Sequence, residues 1–153
     1  MTIIIHGPDE LRARAGRELG VSDWTDIQQQ AVDTFADLTG DHQWIHVDVE
    51  RARASPFGST IVHGYLTLGL VPRLASGIYR VEGFAYGLNY GVNKVRFPAP
   101  LPVGRRVRLR TTLSDVSDVP RDGLQVVLLH TFECEEGAAK PVCVAEAVVR
   151  YYR

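Results

Sequence analysis

The stretch STIVHGYLTLGLVPRLASG, residues 59–77, is the most apolar part of the chain. It is too long for a single strand, and three of its leucines recur at every fourth position, as they would on one face of a helix. The pattern predicts a helix that begins near His63 and Gly64 and ends about Gly77. Pro72 lies inside this helix and predicts a kink or an early end. Apolar side chains occur nearly all round it, which is typical of a helix enclosed by a core.

Downstream of this helix, the apolar residues change to a period of two, which indicates strands. Four segments show the alternation: 84–98, 104–118, 123–136 and 140–152. The first of them reads as two strands or as one broken strand, and the turn sequences VPRDG and EGAAK separate the last three. A long apolar helix followed by antiparallel strands predicts an α+β fold in which a curved sheet wraps around the helix.

Upstream, two further helices are predicted. The first covers 8–19, with a proline at its start and acidic residues early. The second begins at Asp26, which has capping-box spacing to Gln29, and it stops at Gly40. The segment 41–46 therefore follows a helix end and is expected in a loop or an irregular turn.

Composition limits the class of protein. A chain of 153 residues with a net charge of −1 predicts a single domain, 1–153, with no nucleic acid and no anionic membrane as partner. The N-terminus has no basic region followed by a long apolar run, and no segment is apolar over a membrane span, so a cytoplasmic location is expected. Without an export signal, Cys134 and Cys143 are expected as free thiols, although a disulfide is conceivable.

The segment GDHQWIH, 40–46, holds one Asp and two His within six positions. It can be read as a polar turn, as a metal site or as an acid–base pair. A metal site would draw its ligands from His42, His46, Asp41, Asp48 and His63. No Cys or Glu lies nearby at ligand spacing, and Gly40 argues against a helix that would align the two histidines, so no metal is expected. Neither a nucleophile elbow nor a cysteine in a loop beside a histidine is present.

An acid–base pair agrees better with the sequence. Asp41 and His46 are close enough along one loop for both side chains to reach the same water molecule. Trp44 and the apolar stretch that follows can exclude bulk water from them. Gly64 at the start of the apolar helix can offer a free backbone N–H to a substrate oxygen, as in an oxyanion site. The alternative is that Gly64 only permits close packing of the helix.

The residues 35–74 resemble the MaoC-like, hydratase-2 family of (R)-specific enoyl-CoA hydratases. The family pattern runs A-x-x-[ST]-G-D-x-N-P-[LIV]-H-x-[DE], followed at about ten residues by F-G-x-x-[IV]-[AV]-H-G. The first part is matched here by Ala36, Thr39, Gly40, Asp41, Ile45, His46 and Asp48, and the second by Phe57, Gly58, Ile61, Val62, His63 and Gly64. The segment 92–104 resembles the strand that follows. Nodulation-N-type proteins are similar to the same family.

The resemblance implies a hotdog fold, in which an antiparallel sheet wraps a long central helix, and a homodimer with an acyl tunnel at the subunit boundary. It implies a catalytic dyad of Asp41 and His46, with the Gly64 N–H donating to the thioester oxygen, and it adds no cofactor. The reaction would be reversible syn hydration of a trans-2-enoyl-CoA to the (3R)-hydroxyacyl-CoA. The substrate carrier is coenzyme A or an acyl carrier protein, in fatty acid metabolism.

One departure from the family lies between the two dyad residues, where Gln43-Trp44 replaces the usual N-P. Gln43, Trp44 and His63 are expected to contact substrate, and Trp44 is expected to narrow or cap the acyl pocket. A hotdog thioesterase is the first alternative function, but it would need a carboxylate that the segment from Ile61 to Gly77 does not have. The second alternative is a non-catalytic or partner-dependent subunit that binds acyl thioesters, although this chain retains both dyad residues.

Overall fold

The computed structural model describes residues 1–135 and 139–153 and shows an α+β fold of the hotdog type, as predicted. The helices are α1 (Gly7–Ala13), α2 (Gln29–Thr39), α3 (Trp44–Val47), α4 (Val49–Arg53), α5 (Gly64–Gly69) and α6 (Val71–Ala75). The strands are β1 (Ile3–His6), β2 (Arg17–Val21), β3 (Thr25–Asp26), β4 (Tyr79–Glu82), β5 (Tyr86–Arg96), β6 (Arg106–Val119), β7 (Gly123–Cys134) and β8 (Cys143–Tyr152). Within the described residues, no helix has the length and apolar content needed to cross a membrane.

The large sheet is antiparallel, with the strand order β2-β6-β7-β8-β5, and β3 pairs with β6 as well. The short strands β1 and β4 form a separate parallel pair. Strand β5 is one edge of the large sheet, and its pairing with β8 shifts register twice along its length. Of the two alternatives predicted for 84–98, the structure shows one strand with two irregularities and not two strands.

The alternation in β6 determines which face of the sheet meets the core. Its inward residues are fully buried: Val107, Leu109, Thr111 and Leu113. On the outer face, Arg110 and Arg108 both donate to the carboxylate of Glu133 on β7. These two guanidinium groups, Arg110 first, hold the pKa of the Glu133 carboxyl below its usual range. The predicted strand and its two faces are thus confirmed.

The predicted central helix consists of two pieces, α5 and α6, that meet at Leu70. The break falls where expected, because Pro72 has no N–H to continue the helical hydrogen bonding. Leu74 and Thr67 turn towards the sheet and are buried. The expectation that the helix is enclosed all round is wrong for the single chain, since Tyr65 is 74% exposed.

Both upstream helices are shorter than predicted. The helix expected over 8–19 ends at Ala13, because Gly16 reverses the chain with a φ of 79° and the next residues enter β2. The second helix starts at Gln29 and not at Asp26, which lies in β3. Asp26 accepts a hydrogen bond from the Gln28 side chain, so the predicted capping box is absent.

Two turns were predicted between the last three strands. The turn at 119–123 is confirmed, with positive φ values at Arg121 and Asp122. The turn expected over 136–140 lies partly outside the described residues.

Cys134 and Cys143 are free thiols, as expected, and burial raises the pKa of Cys143 to about 11.

Gly40 ends α2 in the left-handed region, with a φ of 79° and its N–H bonded to the Ala36 carbonyl at 2.8 Å. This reversal carries the chain directly into Asp41. We expect Gly40→Ala to lower the free energy of unfolding by about 1 kcal/mol, because a Cβ is disfavoured in this conformation. Urea unfolding curves would measure the change.

Gly69 provides the matched control. It lies in α5, and apart from its chain neighbours and the backbone of its own helix, no atom lies within 4 Å of the position that a Cβ would take. Gly69→Ala should leave stability unchanged or raise it by about 0.5 kcal/mol, since alanine favours a helix more than glycine does. Equal stability of Gly40→Ala and the parent would contradict the role of Gly40.

Candidate active site

A hydrogen bond to the backbone of Ile61 holds the side chain of His46 in place. His46 lies in the single turn α3, and its side chain is 9% exposed. Its Nδ1 lies 2.7 Å from the backbone oxygen of Ile61. Because a carbonyl oxygen only accepts hydrogen bonds, Nδ1 carries the proton and Nε2 keeps its lone pair. That Nε2 lies 4.0 Å from Oδ2 of Asp41.

Asp41 is the exposed member of the pair. It follows Gly40 directly, and its side chain is 54% exposed. Its main-chain oxygen accepts a hydrogen bond from His63 Nε2 at 3.0 Å. This bond fixes the backbone of Asp41 while its carboxylate faces the open side of the site.

His63 lies beneath both of these residues, immediately before α5, and its side chain is 3% exposed. Its ring stacks on His46, with centroids 3.8 Å apart and planes at 24°, and Phe35 contacts its ring at 4.9 Å. Because its Nε2 donates to the Asp41 carbonyl, the neutral ring carries no proton on Nδ1. Among the described residues, that buried Nδ1 has no hydrogen-bond partner.

Two polar residues that the motif did not indicate support the turn around His46. Gln29 on α2 donates from Nε2 to the His46 backbone oxygen at 2.8 Å. Thr60 in turn donates its hydroxyl proton to the Gln29 side-chain oxygen. The sequence marked Gln29 only as a helix-capping residue, and no local pattern could have joined it to a residue 17 positions away.

The pair faces a cavity of about 430 Å³. Its aromatic walls are Phe35, Tyr65 and Phe97, and the other lining residues are Thr39, Asp41, His46, His63 and Gly64. A second cavity of about 320 Å³ shares His46, Gly64 and Phe97 with the first. The two predicted dyad residues and the predicted oxyanion residue therefore line one space.

Gly64 is the first residue of α5, so its N–H belongs to the helix start, where backbone donors lack an acceptor within the helix. A Cβ at this position would lie 3.0 Å from the ring of Phe97. Glycine therefore permits both the approach of Phe97 and access to the N–H. Both readings of Gly64 from the sequence, close packing and an open donor, agree with this geometry.

Gln43 and Trp44 lie outside the linings of both cavities. Gln43 precedes α3, and its carbonyl accepts from the His46 N–H at 2.9 Å. The Trp44 ring instead packs under the guanidinium of Arg51, 4.3 Å from the ring centroid. In the single chain, the expected cap of the acyl pocket by Trp44 thus has no supporting contact.

Asp41, His46 and His63 together also have the composition of a metal site, with one ligand atom from each within 4.8 Å of the others. The hydrogen bonds favour proton transfer over metal binding. His63 would have to give up its bond to the Asp41 carbonyl and move its proton to Nδ1, where the described residues offer no acceptor.

The remaining two candidate ligands are directed elsewhere. His42 is bonded to Asp37 at 2.8 Å, and this bond raises the pKa of His42. The Asp48 side chain accepts from the Arg51 N–H and caps α4.

A known protein family matches most of the chain. The model of the MaoC-like domain matches residues 10–131. The chain belongs to the MaoC-like dehydratase family. It is 56% identical to 3-hydroxyacyl-thioester dehydratase Z of Mycobacterium tuberculosis over 142 residues, 93% of each chain. It is also 48% identical to nodulation protein N of Rhizobium leguminosarum over 108 residues, 69% of this chain and 67% of that protein.

Among solved structures, the MaoC-like dehydratase from Rhodospirillum rubrum superposes with a TM-score of 0.71 at 24% identity, covering 91% of this chain and 92% of that one. This likeness supports the fold. The resemblance to MaoC-like and nodulation-N proteins that the sequence indicated is confirmed.

The tautomers of the two stacked histidines in this MaoC-like chain can be tested. At alkaline pH, where imidazoles are neutral, we expect His46 to carry its proton on Nδ1 and His63 to carry it on Nε2, because each donates to a carbonyl. Long-range proton–nitrogen NMR spectra distinguish the two forms. Spectra of His46→Gln and His63→Gln would assign the signals, and the same tautomer at both positions would contradict the hydrogen bonds given above.

Proposed function

We propose that this protein is an (R)-specific enoyl-CoA hydratase, which adds water reversibly across a trans-2-enoyl-CoA and forms the (3R)-hydroxyacyl-CoA. The broader assignment, addition or removal of water at an acyl thioester, is supported by the family and by the name of the 56% identical relative. The more specific proposal rests on one observation. Nε2 of His46, which has a free lone pair, and the Asp41 carboxylate face each other and line the same cavity.

The distance within the dyad suits a bridging water. His46 Nε2 and Asp41 Oδ2 are 4.0 Å apart, which is too far for a direct hydrogen bond. A water molecule about 2.8 Å from each atom can hydrogen bond to both of them at once. Both partners accept, so the two water protons point at the dyad and an oxygen lone pair remains for attack on carbon.

The reaction then follows from the positions of the donors and acceptors. The Gly64 N–H donates to the thioester oxygen, which draws electrons from the conjugated double bond and makes C3 electrophilic. The water oxygen bonds to C3 while one water proton passes to His46 Nε2. The enolate collapses as a proton is returned from the imidazolium to C2, and the dyad regains its first state. Hydroxyl and proton arrive from the same face, so the addition is syn.

We also propose that His63 positions the dyad, and because it lines the same cavity the substrate contact expected from the sequence stays a prediction. It holds the Asp41 backbone through its Nε2 and supports the His46 ring by stacking. A neutral ring at 3.8 Å also avoids a second positive charge beside the imidazolium that forms on His46.

We further propose that the protein is a homodimer joined along β5. All but one of the residues of this edge strand are exposed, including Tyr86, Leu88, Tyr90 and Val92. Among the described strands, β5 pairs only with β8, so its other edge has free backbone groups. An exposed apolar edge strand favours pairing with another strand. Phe97 follows β5 directly and lines the dyad cavity, so this dimer would place the site at the subunit boundary.

The hydratase proposal is tested with crotonyl-CoA, whose conjugated thioester loses its ultraviolet absorbance on hydration. We expect turnover by the parent and a decrease in kcat by a factor of about 10² to 10⁴ in Asp41→Asn and in His46→Gln, the usual range for loss of a general acid or base. Circular dichroism should show both variants folded, with a lower unfolding temperature for His46→Gln because it loses the buried bond to Ile61.

Two outcomes would contradict this proposal. The first is a parent that hydrates neither short nor long enoyl thioesters, which would favour a partner-dependent or binding subunit. The second is a product that chiral chromatography identifies as the (3S)-hydroxyacyl thioester, which would overturn the stereochemistry. Parallel assays with acyl carrier protein thioesters would identify the preferred carrier.

The dimer is tested by sedimentation of a double variant, Leu88→Lys with Val92→Lys. Four opposed lysines along the paired edges should make this variant a monomer, because like charges are brought together in an isologous interface. Leu38→Lys is the matched control, since Leu38 is 82% exposed but lies on α2, away from the edge strand. A monomeric parent, or a dimeric double variant, would contradict pairing along β5.

A further inference from the structure

The second cavity beside the dyad, of about 320 Å³, has no role in the reaction proposed above. We call this cavity the side recess, and it lies between the start of α5, the segment 97–101 and the residue that precedes β8. His46, Gly64 and Phe97 line both the side recess and the dyad cavity, whereas Asp41 lines the dyad cavity only. The side recess therefore adjoins one member of the dyad and not the other.

The side recess extends from the surface into the core. Val62, Leu101 and Val142, which line it, are each at most 5% exposed. Phe57 and Phe97 line it as well, and they are 42% and 40% exposed. A recess with buried aliphatic residues at one end and aromatic residues at the other has the lining of a site for an apolar group.

The side recess offers few polar partners to an occupant. Of the described side chains that line it, only His46 and Thr67 carry polar atoms. The Thr67 hydroxyl donates to the His63 carbonyl at 3.3 Å, and the Val62 N–H donates to the Leu101 carbonyl at 2.8 Å. The amide groups of a coenzyme A arm would leave water here for few partners, which costs free energy. An alkyl group gains free energy when it is buried in such a recess.

In the proposed hydration, the side recess lies beside C2 of the substrate. C3 meets the water molecule between Asp41 and His46, C2 receives its proton from His46, and the thioester oxygen meets the Gly64 N–H. The recess adjoins His46 and Gly64 but not Asp41, so it lies on the side of C2 and the thioester. The chain beyond C3 continues on the Asp41 side. An unbranched substrate carries only hydrogen on C2 and would leave the recess empty.

We propose that the side recess receives an alkyl branch on C2 and that the substrates include 2-alkyl enoyl thioesters. This inference rests on the proposed hydratase function and names a substrate class for it. In the hydration of such a substrate, the hydroxyl group bonds to C3, and C2 keeps its branch and gains one hydrogen. Without the recess, a branch would push C2 and C3 away from the dyad, and a displacement of about 1 Å can lower the rate about 10²-fold.

The experiment follows dehydration, the reverse reaction, through the gain in ultraviolet absorbance of the conjugated thioester. The substrates are (3R)-hydroxybutyryl-CoA and its 2-methyl and 2-propyl derivatives, with each C2 epimer assayed separately. For the reacting epimer, we expect KM to decrease from the unbranched to the 2-propyl substrate by about tenfold or more, because the branch is buried. The change is expected in KM because the buried branch stabilises the bound substrate and the transition state alike.

Two variants fill the side recess by different amounts. Ala99 lines it and is partly buried. Ala99→Leu should raise the ratio of the 2-propyl KM to the unbranched KM about tenfold or more above that of the parent, and Ala99→Val should raise it less. Ala31→Leu is the matched control, since it adds the same side chain at an exposed position on α2 and should leave the ratio unchanged. Circular dichroism checks that the variants are folded, and Ala99→Val decides if Ala99→Leu is not.

The outcomes separate this proposal from the hydratase function. A parent that dehydrates the unbranched substrate but neither 2-alkyl substrate overturns the proposal, as does a KM that rises with the size of the branch. A ratio that stays unchanged in the Ala99 variants overturns it too, and an equal rise of KM for all three substrates would assign the recess to the coenzyme A arm. A parent that dehydrates none of the substrates refutes the hydratase function, and this inference with it.

Discussion

The hydrogen bond from His46 Nδ1 to the carbonyl oxygen of Ile61 determines what this site can do. It joins a one-turn helix to the segment before the central helix, and it leaves Nε2 as the acceptor that faces Asp41. In the proposed hydration, a reversed ring would offer a donor there, and a water molecule between the two residues could not pass a proton to His46. The proposed chemistry therefore depends on the segment just before α5, where the Ile61 N–H is bonded to the Ile45 carbonyl at 2.9 Å and from which the chain leads to Gly64.

The supports around this bond come from two segments that are distant from His46 in sequence. Gln29 on α2 holds the His46 backbone, and His63 holds the Asp41 backbone and stacks on the His46 ring. Each support acts on the backbone or on a ring face, and none competes for the lone pair of Nε2. The site thus combines a rigid, buried imidazole with a carboxylate that is more than half exposed. In the proposed hydration, the imidazole takes and returns the proton, and the carboxylate holds the water molecule within reach of the substrate.

Much of this arrangement is predictable from local pattern. The period of two in β6, the leucine spacing of the central helix and its break at Pro72 each follow from backbone geometry, and Asp41, His46 and Gly64 stand out because their chemistry is unusual at that spacing. Two features could not be predicted from the local sequence pattern. The strand β2 replaces a helical segment because β6 offers it a partner, and Gln29 reaches His46 only through the folded chain. Both features depend on contacts between distant parts of the chain, and such contacts override local conformational preference.

The exposed parts of the central helix and of β5 have a common explanation. Tyr65 was expected in a core and is exposed in the single chain, and the β5 residues next to the site are exposed as well. The periodicity of a sequence reports that a surface is apolar, but it does not report whether the same chain or another copy covers it. The proposed dimer along β5 would cover the edge strand and place the dyad cavity, which Phe97 lines, at the subunit boundary. In such a dimer, the two chains together would cover the apolar surfaces that a single chain leaves exposed.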